Sequence, residues 1–430
     1  MTPASEQKMG LLGAAALGIG GMVGGGIFAV LGTAVGLAHG ATPVAFLIAG
    51  AIALLTAYAY AKLSAHFPSS GGTVVFIHEA YGHHLYTGAV NLLLWLNYLV
   101  TIALYASAFG SYAQTFLPHG ESAGWHHAFV SLGILLPTAI NLLGAQFIAR
   151  SETTIVVIKL TLLLVVVAAG LGGVDTAALD PAGWPSWGVI VAGGMTIFVA
   201  YEGFELIANA GDDVADPATT LPRAFYIAVV FVLVLYVLLA IVTVGSVPEA
   251  VIIEAKDYAL AAAAKPALGQ AGFTLVAVSA LLATFSAINA TIYGNARLGF
   301  TLASEGELPK IALRRAWNRP VAGVLITSGL SLLLANTLDL EAIAIMGSAG
   351  FLLIFAVVNS AAAKLGPQIH ARRWVAAGGA LACVLALAIL LHQTWEDNPH
   401  ALYWVFGLVA GSFVAEAALQ RWRGPVNPRT

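Results

Sequence analysis

Three ionisable residues stand in surroundings that make them costly. Lys159 lies in the run IVVIKLTLLLVVV, and Glu202 and Glu205 lie in AYEGFE, inside a longer apolar segment. Within a membrane span such groups mark ion or substrate pathways, proton relays or buried pairs. Lys159 falls about nine residues beyond Arg150, roughly 13 Å along a helix, so a return of its head to the interface is possible but awkward. An ammonium solvated only by a few main-chain oxygens can exchange its proton as those oxygens move. Lys159 is therefore a candidate proton-coupling group. Glu202 and Glu205 could select a cationic side chain, relay protons or pair with a buried polar group. Their spacing of three puts them on one helix face only if the stretch stays helical.

A second kind of chemistry belongs to the main chain. Residues Gly18 to Phe28 read GIGGMVGGGIF, with glycine at 18, 20, 21, 24, 25 and 26. Each glycine costs about 1 kcal/mol in a helix relative to alanine, so the helix is expected to open here. In lipid an opened backbone is tolerated where it is buried in protein or lines a cavity. Its freed N–H groups can hold an anion and its freed C=O groups a cation, as a zwitterion at mid-membrane requires. The alternative is a close glycine-packed helix crossing. AYEGFE repeats the feature, a glycine with polar residues inside an apolar run.

The surrounding elements must be membrane helices. The 430 residues are 59% hydrophobic and 9% charged, against about 25% charged in soluble proteins. A net charge of −3 offers no basic field for nucleic acid, and the single cysteine, Cys383, permits no internal disulfide. The apolar start reads as a retained first span and not a cleaved leader. Apolar segments fall near 11–37, 41–65, 84–116, 125–146, 152–173, 187–210, 221–247, 271–302, 319–336, 340–363, 373–392 and 400–421. That predicts an all-α integral membrane protein of twelve spans. Except for Lys159, Lys256 and Lys265, every Lys and Arg falls in one alternating set of loops and termini. The bias predicts cytoplasmic N- and C-termini.

Breaks in spans one and six suggest two inverted five-helix repeats, 1–173 and 187–363, followed by a pair of helices in 373–430. Of the eleven histidines, His83 and His84 fall on the inner side and His119, His126 and His127 on the outer. They read as solvated loop residues, so no metal site is expected, and no constellation calls for a cofactor or a hydrolytic triad. Ser69–Ser70–Gly71–Gly72 reads as a loop turn.

IGGMVGGGIF (19–28) resembles the first-helix signature of the amino acid–polyamine–organocation superfamily. FVAYEGFELIANAGDDVADPATTLPRAF (198–225) resembles its sixth-helix signature and the loop that follows. AYAYAKLSAHFPSSGG (57–72), TGAVNLLLWLNYLVTIALYASAFGSY (87–112) and INATIYGNARLGFTLASEGELP (288–309) are similar to its proton-coupled, broad-specificity amino-acid transporters. The likeness runs through the tenth helix; the last two spans are generic.

The resemblance implies a LeuT-like 5+5 inverted repeat with discontinuous helices 1 and 6. It also implies a multi-pass plasma (inner) membrane protein that is not an enzyme and imports amino acids with protons, independently of sodium. An exchanger, or a carrier of cationic amino acids or polyamines, is the alternative motivated by Glu202 and Glu205, which depart from the uncharged pattern. The N–H groups of Gly24, Gly25 and Gly26 would meet the substrate carboxylate. Carbonyls of Met22, Val199, Ala200 and Glu202 would meet its ammonium. Phe28, Phe198, Tyr201 and Phe204 are candidates for gate or pocket wall, with core packing as their alternative. By the same resemblance Lys159 fills the place of a sodium ion, beside Gly20, Val23 and Ser286. Substrate identity and oligomeric state are not legible.

Overall fold

Long apolar runs with polar residues and prolines at their ends fold as helices that satisfy their own backbone. The computed structural model describes residues 8–118, 122–143, 146–304, 306–309 and 321–423, and has no strand among them. In chain order the helices are α1 (Leu11–Met22), α2 (Gly26–Ala38), α3 (Thr42–His66), α4 (Thr73–Tyr81) and α5 (Leu85–Gln114). Next come α6 (Ala123–Leu143), α7 (Gln146–Gly170), α8 (Trp187–Thr196), α9 (Pro217–Ser246) and α10 (Glu249–Glu254). The chain closes with α11 (Ala259–Ser304), α12 (Val321–Thr337), α13 (Leu340–Lys364), α14 (Arg373–Asp397) and α15 (Pro399–Arg423). Helix α11 is interrupted at Gly269, where φ is +62°, three residues after Pro266. The local signals are ordinary: Pro217 starts α9, and Asp339 caps α13 by accepting from the Ala342 N–H at 2.7 Å.

Nine helices among the described residues are long and apolar enough to cross a membrane, or ten when the bent pair at Thr196 and Phe198 counts as one. Both expected breaks are present. Helix α1 ends at Met22 and α2 resumes at Gly26. Helix α8 ends at Thr196, and the chain continues at 51° through 3-10 turns over Phe198–Tyr201 and Phe204–Ala210. The chain is an all-α membrane protein.

Burial sorts the helices. The most apolar windows of α5 and α13 are 89% and 83% buried, whereas those of α14 and α15 are 28% and 22% buried. The inner pair forms the scaffold against which both breaks are set, and the outer pair presents its apolar side chains outward. On α14, Trp374 and Trp395 are exposed at opposite ends. They stand about 32 Å apart along the helix, close to the roughly 30 Å of a hydrocarbon core.

Ahead of α1, Met9 pairs with the strand-like segment before α9: its N–H donates to the Asp213 carbonyl at 2.8 Å and its carbonyl accepts from Ala215 at 2.9 Å. The leading end of the first broken segment is thus tied to the trailing end of the second. Several of the basic residues behind the orientation argument, Lys310, Arg314, Arg315, Arg319 and Arg429, lie outside the described residues, as does His119.

Candidate functional site

At the first break the geometry follows from which main-chain groups a helix end leaves over. Val23 N–H donates to the Ile19 carbonyl at 2.9 Å, and Gly24 N–H donates to the Gly21 carbonyl at 3.0 Å. The Gly24 N–H therefore closes the end of α1 and points to no ligand. Neither bond uses the Gly20 carbonyl. The Lys159 Nζ donates to it at 2.9 Å, from a side chain that is buried on α7. A cation at a helix C-terminus is favoured by the helix dipole as well as by the bond. Val23 and Ser286 are both buried, Ser286 on α11. On the other side of the gap, Gly25 caps α2 and its carbonyl accepts from Ala29 at 3.0 Å. The N–H groups of Gly26, Ile27 and Phe28 have no intrahelical acceptor, as at any helix start.

None of the six glycines of this run has a positive φ. What they supply is room. A Cβ on Gly26 would stand 2.6 Å from the Ala200 Cα, one on Gly21 2.8 Å from the Gly203 carbonyl oxygen, and one on Gly25 would enter the Tyr105 ring. The opened-helix and close-packing readings of the sequence therefore describe the same residues.

The second break is held by side chains. Ser348 on α13 accepts from the Val199 N–H at 3.0 Å and donates to the Thr196 carbonyl at 2.8 Å, so it bridges the gap. Gly203 takes φ +114°, a conformation other residues rarely adopt, and donates its N–H to Glu205 Oε2 at 2.8 Å. The Tyr98 hydroxyl donates to Glu205 Oε1 at 3.2 Å, and the Tyr105 hydroxyl to Glu202 Oε2 at 3.0 Å. Both glutamates are buried.

Two residue sets were not singled out from the sequence. Tyr236 on α9 donates its hydroxyl to the Met22 carbonyl at 2.8 Å and to the Ala200 carbonyl at 3.2 Å. It joins the two breaks through two of the carbonyls expected to meet an ammonium. The Val199 carbonyl accepts from Glu202 N–H at 3.1 Å. Each of these carbonyls keeps a second lone pair. The other set is Tyr98, Tyr105 and Tyr112, spaced by seven on α5, whose hydroxyls reach Glu205, Glu202 and, at 3.4 Å, the Phe28 carbonyl. That heptad stripe was a readable signal, since a buried tyrosine needs a partner for its hydroxyl.

The expected gate aromatics divide between the two sides of the breaks. Phe28 packs edge-on against Tyr112. Phe198 and Phe204 both meet Phe355, and Phe204 also meets Tyr60 and Phe225. Tyr201 packs on Tyr236 and donates to the Phe46 carbonyl at 2.9 Å. All four are buried.

Taken together, the site offers N–H groups at the start of α2, carbonyls around Met22 and Ala200, a buried ammonium and two buried carboxyl groups. It has no nucleophile set against a base, and its polar groups suit holding and releasing a charged small molecule. A family model described as amino acid permease matches residues 9–410. The inner membrane transport protein YbaT of Escherichia coli is 35% identical over 417 residues, covering 97% of each chain. An uncharacterized protein of Methanocaldococcus jannaschii is 34% identical over 416 residues, 96% of this chain and 95% of its own. The cationic amino acid transporter 4 of mouse is 29% identical over 365 residues, 80% of this chain and 57% of its own.

Proposed function

We propose that this chain, which belongs to the amino acid permease family, imports amino acids together with protons and without sodium. Family membership makes it a transporter and not an enzyme; the substrate side of the site and the coupling are our reading. The observation that carries it is the contact of the two broken helices around Gly26 and Ala200, with Lys159 on the Gly20 carbonyl that the first break leaves over.

In this reading Gly25, Gly26 and the start of α2 receive the substrate carboxylate. Carbonyls of Met22, Val199, Ala200 and Glu202 receive the α-ammonium, which adds to the Tyr236 hydroxyl or displaces it. Phe28 closes one side, and Phe198, Tyr201 and Phe204 the other. The spans form a 5+5 inverted repeat, 1–173 and 187–363, with the remaining helices beside it and both termini in the cytoplasm of an inner membrane. Alternating access moves one repeat against the other, and gain or loss of the Lys159 proton biases the two facings.

Uptake of a panel of labelled amino acids into proteoliposomes, with and without an inward proton gradient, tests this. Accumulation is expected only with the gradient, and replacing sodium by potassium or choline should leave initial rates unchanged. A strict sodium requirement overturns the coupling reading, and absence of uptake and exchange across the panel overturns the substrate class. A second reading, an exchanger or carrier of cationic amino acids or polyamines, is favoured by one observation: two buried carboxyl groups at the second break. Preference for lysine, arginine or a polyamine over neutral amino acids in the same panel would select it.

A further inference from the structure

A separate cluster of chemistry-bearing side chains lies at the start of α5, about 21 Å along that helix from Tyr105. His78 comes from α4, Asn91 from α5, and Glu307 from the segment after α11, 229 residues from His78 in sequence. His78 Nε2 stands 3.0 Å from Glu307 Oε1 and 2.9 Å from Asn91 Nδ2, and Asn91 Nδ2 stands 3.0 Å from Glu307 Oε2. The ring of His83, which is exposed, lies 4.0 Å from that of His78 between centroids. One nitrogen from each histidine and one oxygen of Glu307 all fall within 4.8 Å of one another. Glu307 and Asn91 are buried.

The contacts of His78 Nε2 pull in opposite directions. A ring nitrogen either donates or accepts. With a proton, Nε2 can donate to Glu307 but then faces the N–H donors of Asn91. Without one, it accepts from Asn91 but sets a lone pair against a carboxylate oxygen. Meanwhile the Asn91 Oδ1 is buried with no partner. Amide oxygen and nitrogen are assigned from the surrounding network, so the amide can equally be turned over. Oδ1 then replaces Nδ2 beside His78 and Glu307, and imidazole, carboxylate and amide lone pairs all converge on one point.

We propose that His78, His83 and Glu307, with Asn91 Oδ1 as a fourth ligand, form a binding site for a divalent transition-metal ion of the zinc class. Two imidazole nitrogens with a carboxylate are zinc ligands at about 2.0–2.2 Å, whereas magnesium and calcium take oxygen sets. The ligands come from α4, the loop after it, α5 and the segment beyond α11, so the ion ties residues 78–91 to a part of the chain more than 200 residues away.

The test uses the purified full-length chain in detergent, stripped of metal, and does not depend on the transport reading. Cobalt(II) absorption and zinc calorimetry should give one site per chain, and zinc should raise the melting temperature. His83→Gln, at an exposed position, and Glu307→Gln should each weaken zinc binding at least about ten-fold. In both variants the zinc-dependent rise in melting temperature should shrink or vanish. Equal zinc affinity in the wild type, H83Q and E307Q, or a wild type that takes up neither ion, overturns the proposal.

Discussion

The two broken helices meet the same requirement with different chemistry. At the first, between α1 and α2, three residues without a polar side chain open the backbone, and what the helix ends leave over is main chain: the Gly20 carbonyl, which accepts from Lys159, on one side and the N–H groups that begin α2 on the other. At the second, Ser348 spans the gap and Glu205 takes up the Gly203 N–H, so the break is closed by side chains. The first break is therefore free to exchange partners, and the second is a framework that holds two carboxyl groups against α5. In the function proposed above, the substrate carboxylate binds at the first, whose N–H groups sit at a helix start.

The largest effect should come from forcing the breaks apart. In Gly26→Val the new Cβ meets the Ala200 backbone. Overpacking of this kind costs about 1–3 kcal/mol, a factor of about 5 to 150 in an equilibrium. Substrate binding measured on monodisperse protein should fall by that factor or more. Normal affinity would place the ligand elsewhere.

Coupling should be lost next. Lys159→Ala is expected to abolish accumulation against a gradient while leaving binding in place, because the main-chain contacts of α2 remain. Lys159→Arg keeps the charge but cannot deprotonate, so it should fail in the same assay. If Lys159→Arg accumulates substrate with unchanged pH dependence, Glu202 or Glu205 becomes the coupling group.

The two carboxyl groups should then separate by thermal stability. Glu205 accepts from two donors and Glu202 from one hydroxyl. An amide at 205 turns an NH2 group toward one of its donors, a loss of about 1–3 kcal/mol, whereas an amide at 202 should cost about 1 kcal/mol or less. Melting temperatures of Glu205→Gln and Glu202→Gln should rank in that order; the reverse order would mean that Glu202 carries the framework. The smallest effect is expected for Tyr236→Phe, which removes one hydroxyl that two carbonyls share. A net hydrogen bond of about 0.5–1.5 kcal/mol corresponds to about a two- to ten-fold change in substrate affinity. An increase in affinity would show that the hydroxyl competes with the ammonium, and a decrease that it holds the carbonyls in place.

What was legible in the sequence was what a short window carries. Glycines at 24, 25 and 26 and the AYEGFE run located both breaks, and Lys159 was conspicuous among leucines and valines. A window cannot say which main-chain groups are left over, which is why the Gly24 N–H, expected to face a ligand, instead closes α1. Nor can it pair distant side chains. Tyr236, a single tyrosine in LVLYVLL, gave no sign that it reaches both Met22 and Ala200, and His78 gave none that it meets Glu307. The Tyr98–Tyr105–Tyr112 stripe was readable in principle, because seven-residue spacing puts three hydroxyls on one face of a helix that is buried all round. Helix α4 is short and follows the Ser69–Gly72 turn, where Gly72 has φ +45°, so it lay below the length at which apolar runs announce a span.

The central claim is that main chain at the two breaks holds both charged ends of an amino acid. Competition against a bound labelled amino acid tests it directly, using the parent compound, its decarboxylated amine and its N-acetyl derivative. The account predicts that the parent competes and that each analogue, lacking one charged end, is weaker by at least about ten-fold, the equivalent of a charge-assisted hydrogen bond of about 1.5 kcal/mol or more. An amine that competes as well as its parent would contradict it, since recognition would then rest on the cation alone.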